Sequence, residues 1–320
     1  MGSVTVVATG GTIANTLEGR LPVEQVIRDI SARQPDVAAH LSSGIVVRDV
    51  LREGAETFTP QEWLVIGQAV QEEVDDAAVQ GVVVTHGTYT AEETAYFLHL
   101  AVATDKPVVV VCSQRKHGTV GNDGDKNLLD ALRVARDPAA RGRGVMLLLN
   151  EEIHCARDVT KTNQRPGGFR SGSYGLLGSV EADRVSFYRS PERLHTLRSH
   201  VARPGMAPLP RTDVVATYAG ADGTAVEAFV AAGAVGLVVN GFSFSGKPHR
   251  LQMPALEAAV AAGVCVVLTN RGGDGRIPVE HEHGFVRGDS LSAQKARVLL
   301  ALALGSGRRR PDLQKIFDEH

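Results

Sequence analysis

Short apolar runs alternate along this chain with segments of helical periodicity, and this alternation limits the folds open to it. Strands that are buried on both faces and alternate with helices are typical of parallel sheets, whose crossover connections cover both faces. The pattern therefore predicts an α/β fold with a mostly parallel sheet flanked by helices. In the first half, strands are predicted at 4–8, 45–50, 82–85, 108–112 and 145–149, with helices at 60–74, 91–103 and 126–136 and two short strands within 174–188.

The pattern breaks once and then starts again. Residues 190–211 are rich in Pro, Arg and His and show no clear period, which is the composition of a linker or a surface crossing. With 320 residues and 43% hydrophobic content, the chain can form two cores. We predict a larger N-terminal domain at 1–190, a linker at 191–212 and a smaller C-terminal α/β domain at 213–320. Its predicted strands are 214–218, 234–239 and 264–268, with helices at 224–232 and 253–262 and a closing helix at 292–303.

Charge and hydropathy exclude two classes of partner. The formal net charge is −2 with dispersed Lys and Arg, and the run Arg308–Arg310 is too short for a nucleic-acid footprint, so we expect a solvated loop there. No apolar run reaches the roughly 20 residues that cross a bilayer, and the N-terminus lacks the pattern of a signal peptide. We expect neither nucleic acid nor membrane as a partner.

The three cysteines indicate a reducing compartment. Cys112, Cys155 and Cys265 are odd in number, widely spaced and set in apolar or strand-like surroundings, which fits reduced, buried thiols in the cytoplasm. Cys155 follows His154, but neither a CxxC nor an HxxxH spacing accompanies the pair, so we predict no metal site.

Two glycine-containing turns each lead to a threonine. Thr12 follows Gly10-Gly11 after the first strand, and Thr88 follows Gly87 after the strand at 82–85. Open α/β sheets bind ligands at the carboxyl ends of their strands, so the two hydroxyl groups are predicted to share one site for hydroxyl-nucleophile chemistry. The alternative is that both turns simply begin helices with threonine caps. Thr90 and Glu93 have the spacing of a capping box, which leaves Thr88 less explained by capping.

Lys161 and His86 are candidate bases. Lys161 lies among small hydroxyl residues at 157–163, and a lysine becomes a base when burial or nearby positive charge lowers its pKa. A solvated or ion-paired Lys161 is the alternative, because most lysines are exposed. His86 directly precedes Gly87 and could accept a proton from a neighbouring hydroxyl.

Four segments together resemble the bacterial-type L-asparaginase family. They lie at 9–14, 85–88, 92–98 and 158–163, residues 294–300 resemble the family's closing helix, and the order is kept over essentially the whole chain. The resemblance implies a hydrolase that splits a side-chain amide of a small molecule to a carboxylate and ammonia through an acyl-threonine intermediate, without metal or cofactor. It also implies a homo-oligomer, a tetramer or a dimer, whose sites form between the first domain of one subunit and the second domain of its neighbour.

The resemblance also implies residue roles. Thr12 matches the nucleophile, Thr88 and Lys161 match the pair that activates the hydroxyl or the attacking water, and the turns around Gly11 and Thr88 would donate hydrogen bonds to the oxyanion. His86 has no such role in the family. The positions implied to contact substrate are Gly11, Gly54, Ala55, Glu56, Gly87, Tyr89 and Ser113.

Three departures from the family pattern concern substrate recognition. Tyr89 replaces an aspartate that holds the substrate ammonium, and a neutral tyrosine supplies no such charge. Ala55-Glu56 replaces a serine-glutamine pair, so that Glu56 either restores the lost charge or repels an α-carboxylate. The lid segment at 15–20 is short and lacks the family's tyrosine. Phe242 and Phe244 either add apolar bulk to a neighbour's site or anchor their own loop.

Three hypotheses follow. The first is hydrolysis of L-asparagine, and the second is the same chemistry on another amide, for example an asparagine derivative whose α-amino group is blocked or missing. The third is a binding protein that kept the fold and lost turnover. Retention of Thr12, Thr88 and Lys161 favours the first two over the third. The altered recognition residues oppose the first, and the choice between the first two stays open.

Overall fold

The computed structural model describes residues 2–33, 44–201, 208–278 and 283–320. These residues form two compact units, one reaching Arg198 and the other beginning at Ser199. The first holds the larger, mostly parallel sheet and the second a smaller parallel one, which confirms the predicted two-domain α/β fold. Residues 202–207 of the predicted linker lie outside the described residues, and the predicted domain limits stay predictions.

The first unit is built on an eight-stranded sheet in the order β10-β9-β6-β5-β4-β3-β1-β2. The run from β5 to β2 is parallel, whereas β6, β9 and β10 add an antiparallel end. The strands are β1 (Ser3–Ala8), β2 (Ile45–Asp49), β3 (Val79–Thr85), β4 (Val108–Val111), β5 (Val145–Leu149), β6 (Glu152–Cys155), β9 (Gly178–Val180) and β10 (Val185–Phe187). A separate antiparallel ribbon pairs β7 (Thr160–Lys161) with β8 (Phe169–Arg170).

Helices cover both faces of this sheet. The helices of the unit are α1 (Val23–Arg33), α2 (Pro60–Asp75), α3 (Ala91–Ala101) and α4 (Gly124–Arg136). Val4 and Val6 of β1 share a buried core with α1 and α4. Thr5 points to the other face, where its hydroxyl donates to Glu73 of α2 over 2.8 Å. Because successive strand residues point to opposite faces, the central strands are buried on both sides.

The parallel register brings the ends of neighbouring strands together. Ala8 of β1 pairs with Thr85 of β3, and Thr85 in turn pairs with Val111 of β4. The segments that follow these three strands therefore leave the sheet side by side, at its carboxyl edge. Both threonine turns lie at this edge, as predicted.

The second unit is a four-stranded parallel sheet in the order β11-β12-β13-β14. Its elements are β11 (Thr212–Ala216), α5 (Thr224–Ala231), β12 (Gly236–Gly241), α6 (Met253–Ala261), β13 (Cys265–Asn270), β14 (Val286–Arg287), α7 (Ala293–Gly305) and α8 (Arg310–Glu319). It has its own buried core of strand and helix side chains. Phe242 packs against the guanidinium of Arg271, with 5.0 Å between its ring centroid and Cζ, whereas Phe244 is exposed.

One prediction for this unit is wrong. The helix predicted at 292–303 is α7, but it does not close the chain, because α8 follows it. Pro311 lies in the first turn of α8, and Leu313, Ile316 and Phe317 bury one face of this helix at helical spacing. Arg308 and Arg309 are exposed as expected for a solvated loop, but Arg310 is the first helical residue.

Candidate active site

Two strand-to-helix turns come into direct contact at the carboxyl edge of the larger sheet. Gly10 and Gly11, after β1, have φ angles of 93° and 94°. A Cβ atom on Gly11 would lie 2.7 Å from the backbone nitrogen of Gly87 and would also overlap the carbonyl of His86. Only glycine fits, because it adopts this φ without strain and has no Cβ. The turn leading to Thr12 therefore packs backbone to backbone on the turn leading to Thr88.

A third segment joins this contact. Residues Ala55–Thr57 form a 3-10 turn, and Ala55 is buried with its side chain close to Gly87. The Thr90 hydroxyl donates to the Ala55 carbonyl over 2.9 Å. Thr90 is the residue before α3, but its side chain makes no capping hydrogen bond, so the predicted capping box with Glu93 is wrong. The hydroxyl is instead used to hold the Gly54–Glu56 segment against the Thr88 turn.

Lys161 meets Thr88 across this edge. The Lys161 ammonium donates to the Thr88 hydroxyl oxygen over 2.7 Å, although the two residues are 73 positions apart. The backbone N–H of Lys161 donates to a carboxylate oxygen of Glu92 over 3.3 Å. Burial lowers the pKa of Lys161 below the usual value for lysine, whereas nearby Cys112 and Glu92 act to raise it. The amine is therefore partly desolvated and aimed at a hydroxyl group, as a base for hydroxyl activation must be.

Contacts of the β7–β8 ribbon hold Lys161 where its side chain reaches Thr88. Lys161 lies on β7 and pairs with Phe169 of β8, and the two N–H groups of Thr162 and Asn163 converge on the Gly168 carbonyl. Ser171, just after β8, bonds through its hydroxyl to Nδ1 of buried His154 on β6 over 2.8 Å. The β7–β8 ribbon that carries Lys161 is thereby attached to the main sheet.

Thr12 begins the 3-10 turn Thr12–Ala14 and is half-buried. Within the described ranges, no hydrogen bond engages its hydroxyl. A reacting hydroxyl at this place is free to turn toward a ligand. Ile13, the next residue, packs into the core near Ser113, since a Cβ on Gly124 would lie 3.2 Å from Ile13 and 3.0 Å from Ser113.

Tyr89 is an exposed residue of the predicted site. The residue is 70% exposed, and its ring centroid lies 5.2 Å from the Lys161 ammonium. At this distance the ring face attracts the cation, but it provides neither a full negative charge nor a strong acceptor. A ligand at Lys161 therefore meets an aromatic surface beside it.

Two of the predicted substrate-binding side chains turn elsewhere. The Glu56 carboxylate is exposed and folds back over Gly54. Ser113 is buried at the end of β4, and its hydroxyl donates to the carbonyl of Arg115 over 3.1 Å. The roles assigned to Glu56 and Ser113 stay predictions.

His86 is buried and neutral. Its Nδ1–H donates to the Gly87 carbonyl over 2.7 Å, and Nε2 has no partner in the described part of the chain. Burial lowers the pKa of His86 to about 4. An imidazole that is enclosed, weakly basic and tied to its own turn supports the backbone of this turn better than it accepts protons from a substrate.

The short segment after Ala14 is a closed hairpin. Asn15 and Arg20 form an antiparallel bridge, and the Arg20 Nε donates to the Asn15 side-chain oxygen over 2.9 Å. The Arg20 guanidinium also donates to the carbonyls of Arg52 and Glu53, immediately before Gly54. From the other side, the His117 N–H donates to the Asn15 carbonyl over 2.8 Å. The place of the family's lid is thus taken by a hairpin that is fastened at its base.

Sequence reasoning missed four contributors to this site. Thr90 fastens the Gly54 segment, Glu92 receives the Lys161 backbone, Cys112 lies near the Lys161 amine, and Arg20 fastens the hairpin. The position of Thr90 at a helix start was visible, but its spacing to Glu93 indicated capping. No pattern in the sequence joins Arg20 to position 52.

Neither a metal cluster nor a membrane helix is found in the described residues. No group of three or more His, Cys, Asp or Glu side chains there could hold a metal ion. Across the same ranges, no helix combines the length and the apolar character that a bilayer span requires.

Comparison with known proteins identifies one family for both the N-terminal and the C-terminal part of the chain. Residues 3–193 match the family model described as "Asparaginase, N-terminal", and residues 211–317 match "Glutaminase/Asparaginase C-terminal domain". The chain is 33% identical to "L-asparaginase 2" of Escherichia coli, with 99% of this chain and 93% of that protein covered. It is 33% identical to "Probable L-asparaginase periplasmic" of Haemophilus influenzae, again covering 99% and 93%.

A third relative is named for both amino-acid amides. The chain is 31% identical to "Glutaminase-asparaginase" of Pseudomonas aeruginosa, over 100% of this chain and 91% of that protein. The two family matches together span most of the sequence, and the relatives are covered nearly end to end. The chain belongs to the asparaginase/glutaminase family of amidohydrolases.

Proposed function

We propose that this protein hydrolyses a side-chain amide of a small molecule to a carboxylate and ammonia, with Thr12 as nucleophile and an acyl-threonine intermediate. The observation that carries the proposal is the 2.7 Å hydrogen bond from the Lys161 ammonium to the Thr88 hydroxyl, at the edge where the Thr12 turn packs on the Thr88 turn. A base, a relay hydroxyl and a nucleophilic hydroxyl are the groups that two-step acyl transfer needs.

The proposed reaction has two stages. The Thr12 oxygen attacks the amide carbon, the carbon–nitrogen bond breaks, and ammonia leaves after taking up a proton, so that an ester on Thr12 remains. Water then attacks this ester and releases the carboxylate, and Thr12 recovers its proton. Lys161 in its neutral form accepts protons through Thr88, and backbone N–H groups of the Gly11 and Thr88 turns stabilise the oxyanion.

We further propose that the natural substrate lacks a free α-ammonium group. Position 89 supplies an exposed aromatic ring where a cation would need a carboxylate. Ala55 is buried and has no polar side-chain group, and its carbonyl already accepts from Thr90. This residue therefore offers no side-chain hydrogen bond to an amino acid. A blocked or absent amino group leaves no unpaired charge at such a surface.

L-Asparagine itself is the second candidate, and one observation favours it. The Glu56 carboxylate is exposed beside Gly54, and rotation of this flexible side chain would place a negative charge at the same edge of the sheet. In that case Glu56 takes over the role of the missing anion. A silent binding protein is disfavoured by the retained contact between Lys161 and Thr88.

Ammonia release by the purified protein tests the proposal. The substrates are L-asparagine, D-asparagine, L-glutamine and Nα-acetyl-L-asparagine, and Thr12→Ala is compared with Thr224→Ala, a change on α5 of the second unit. We expect release from the blocked amide and at least about a thousandfold loss of kcat with Thr12→Ala only. Release from L-asparagine that depends on Glu56 would favour the second candidate. Silence on every amide, or activity that survives Thr12→Ala, would contradict the proposed chemistry.

We also propose a cytoplasmic homo-oligomer, a tetramer or a dimer. The three cysteines are buried and unbridged, which suits a reducing compartment. The oligomer rests on family resemblance, and sedimentation at micromolar concentration checks it, because a monomer would contradict it.

A further inference from the structure

A cavity of about 750 Å³ lies beside the catalytic turn in the first unit. It is partly open to solvent and is lined by the hairpin Asn15–Arg20, the end of β1 and the segment that follows β2. This volume is within the range of pockets that hold small organic ligands. None of the roles proposed above uses it.

The cavity borders the segment that carries the nucleophile. Gly10 and Ala14 line it, and Thr12 lies between them in the same turn. Arg20 lines it as well, and its guanidinium reaches the carbonyls of Arg52 and Glu53, which lead directly into Gly54. The cavity therefore borders both the turn that carries Thr12 and the segment that leads into Gly54.

Its lining combines charged side chains with an apolar floor, the name used here for Leu21, Val23 and Leu51. Leu21, Val23 and Leu51 supply hydrocarbon surface. Three basic side chains and two acidic ones also line the cavity, namely Arg20, Arg52, Lys116, Glu18 and Asp49.

The basic side chains differ in how they are engaged. Arg52 donates to the Asp49 carboxylate over 2.7 Å, and Arg20 donates to the backbone carbonyls of Arg52 and Glu53. For Lys116 no hydrogen bond or ion pair of the side chain is found within the described ranges, while its backbone carbonyl is held by the Thr119 hydroxyl over 2.7 Å. Lys116 is exposed and thus presents a positive charge to a cavity that also has apolar surface. A chain of a few methylenes that ends in a carboxylate complements both features.

We infer that this cavity holds an acidic acyl group on the α-nitrogen of the substrate, with its methylenes on the apolar floor and its terminal carboxylate at Lys116. The inference rests on the proposed function, because it assigns a chemical class to the blocking group on the amide that Thr12 attacks. It explains in one step why the site offers no carboxylate at position 89 and why the hairpin leaves a hollow beside the nucleophile turn.

Equilibrium binding of product analogues tests this inference without turnover. The probes are Nα-succinyl-L-aspartate and Nα-butyryl-L-aspartate, which have acyl chains of similar length and differ in the terminal carboxylate. Calorimetry on the full-length protein should give about tenfold tighter binding of the succinyl compound, the size expected for a hydrogen bond to a charged group. Lys116→Met should abolish this preference, and Lys315→Met, which removes an exposed lysine on α8, should leave it unchanged.

A separate variant tests whether the acyl chain occupies the cavity. Leu51→Phe adds bulk to the floor and should weaken both analogues relative to Nα-acetyl-L-aspartate, whose short chain does not fill the hollow. Equal affinities for the succinyl and butyryl compounds, or a preference that survives Lys116→Met, would overturn the inference. Failure of ammonia release with a Lys116-dependent preference intact would instead remove the proposed function and leave the binding site standing.

Discussion

The proposed chemistry depends on the Lys161 side chain, because only its neutral form accepts a proton. Burial lowers its pKa, whereas Cys112 and the Glu92 carboxylate oppose this effect. A carboxylate near an amine favours the charged amine, so the two influences set the fraction of neutral lysine at a given pH. Activity should therefore rise with pH through the pKa of Lys161, at values below the usual range for lysine.

Glu92→Gln tests this balance. The amide keeps an oxygen that can accept from the Lys161 N–H, but it removes the charge that raises the pKa of the amine. The alkaline rise of kcat/KM should move to lower pH. The profile is measured by ammonia release, with Glu227→Gln on α5 as the control. A rise that moves to higher pH, or that stays in place, would argue against Lys161 as the titrating base.

Thr90 illustrates where single-residue reasoning fails. Its position before α3 and the glutamate three residues later favour a capping box, and capping competes with every other use of a threonine hydroxyl. The hydroxyl instead bonds to Ala55, which lies 35 residues away. Local spacing describes what a side chain can do within its own turn, and it contains no information about a carbonyl that tertiary packing brings closer.

At the scale of elements, the β7–β8 ribbon holds Lys161 in place. The ribbon is short, and its own pairing covers only two residues on each strand. Two contacts bind it to β6: the Ser171–His154 hydrogen bond of 2.8 Å and the ion pair of Arg170 with Glu152 at 3.1 Å. Because a two-stranded ribbon is marginal by itself, these contacts determine where the amine lies.

His154→Leu and His154→Asn separate this positioning role from simple stability. Leucine fills the space but leaves the buried Ser171 hydroxyl without its hydrogen-bond partner, whereas asparagine offers an amide group close to the place of Nδ1. We expect the leucine variant to lose about ten- to a hundredfold in kcat with little change in KM, and the asparagine variant to recover most of it.

The control for this pair is Arg141→Leu, which removes an ion pair of the same unit at Asp105 and should leave kcat unchanged. Thermal midpoints of all three variants are measured alongside. If the two His154 variants shift only the midpoint and share the wild-type kcat, the ribbon contacts are structural and do not position Lys161.

The strands and helices with a strong period were predictable from the sequence, and the site was predictable only in part. Each predicted strand of the parallel sheet overlaps an observed one, because a strand buried on both faces needs an unbroken apolar run. The strand Glu152–Cys155 and the ribbon carrying Lys161 were not predicted, since they are short, polar and defined by their partners. The helix Val23–Arg33 was also not predicted, although its buried residues Val23, Val26, Ile27 and Ile30 have helical spacing. The Lys161–Thr88 pair came from family resemblance, as no pattern links positions 73 apart.

At the scale of the whole molecule, the burial of the cysteines determines how their thiols react with the solvent. Cys112 and Cys155 lie in the first unit and Cys265 in the second, and all three are buried and unbridged. Burial raises the pKa of the Cys112 and Cys265 thiols, which keeps them protonated and unreactive. Each unit thus protects its own thiols.

Thiol titration gives a direct check. With 5,5′-dithiobis(2-nitrobenzoic acid), the native protein should show essentially no fast-reacting thiol, and the three thiols should react after unfolding in guanidinium chloride. The control is the same titration after reduction and desalting, which should give the same number. Fewer than three thiols in the untreated, unfolded protein would indicate a disulfide and would argue against the proposed reducing compartment.

The fastened hairpin also predicts how the turnover rate depends on the viscosity of the solvent. A loop that must swing shut moves through solvent, and friction then enters the turnover rate. Here Arg20 ties the hairpin to the carbonyls of Arg52 and Glu53, and His117 ties it from the opposite side. Turnover should therefore be insensitive to viscosity, with kcat unchanged when sucrose doubles the viscosity of the buffer. Arg20→Ala, which releases the hairpin, should introduce that dependence, and a wild-type kcat that falls in proportion to viscosity would mean that the hairpin opens in every cycle.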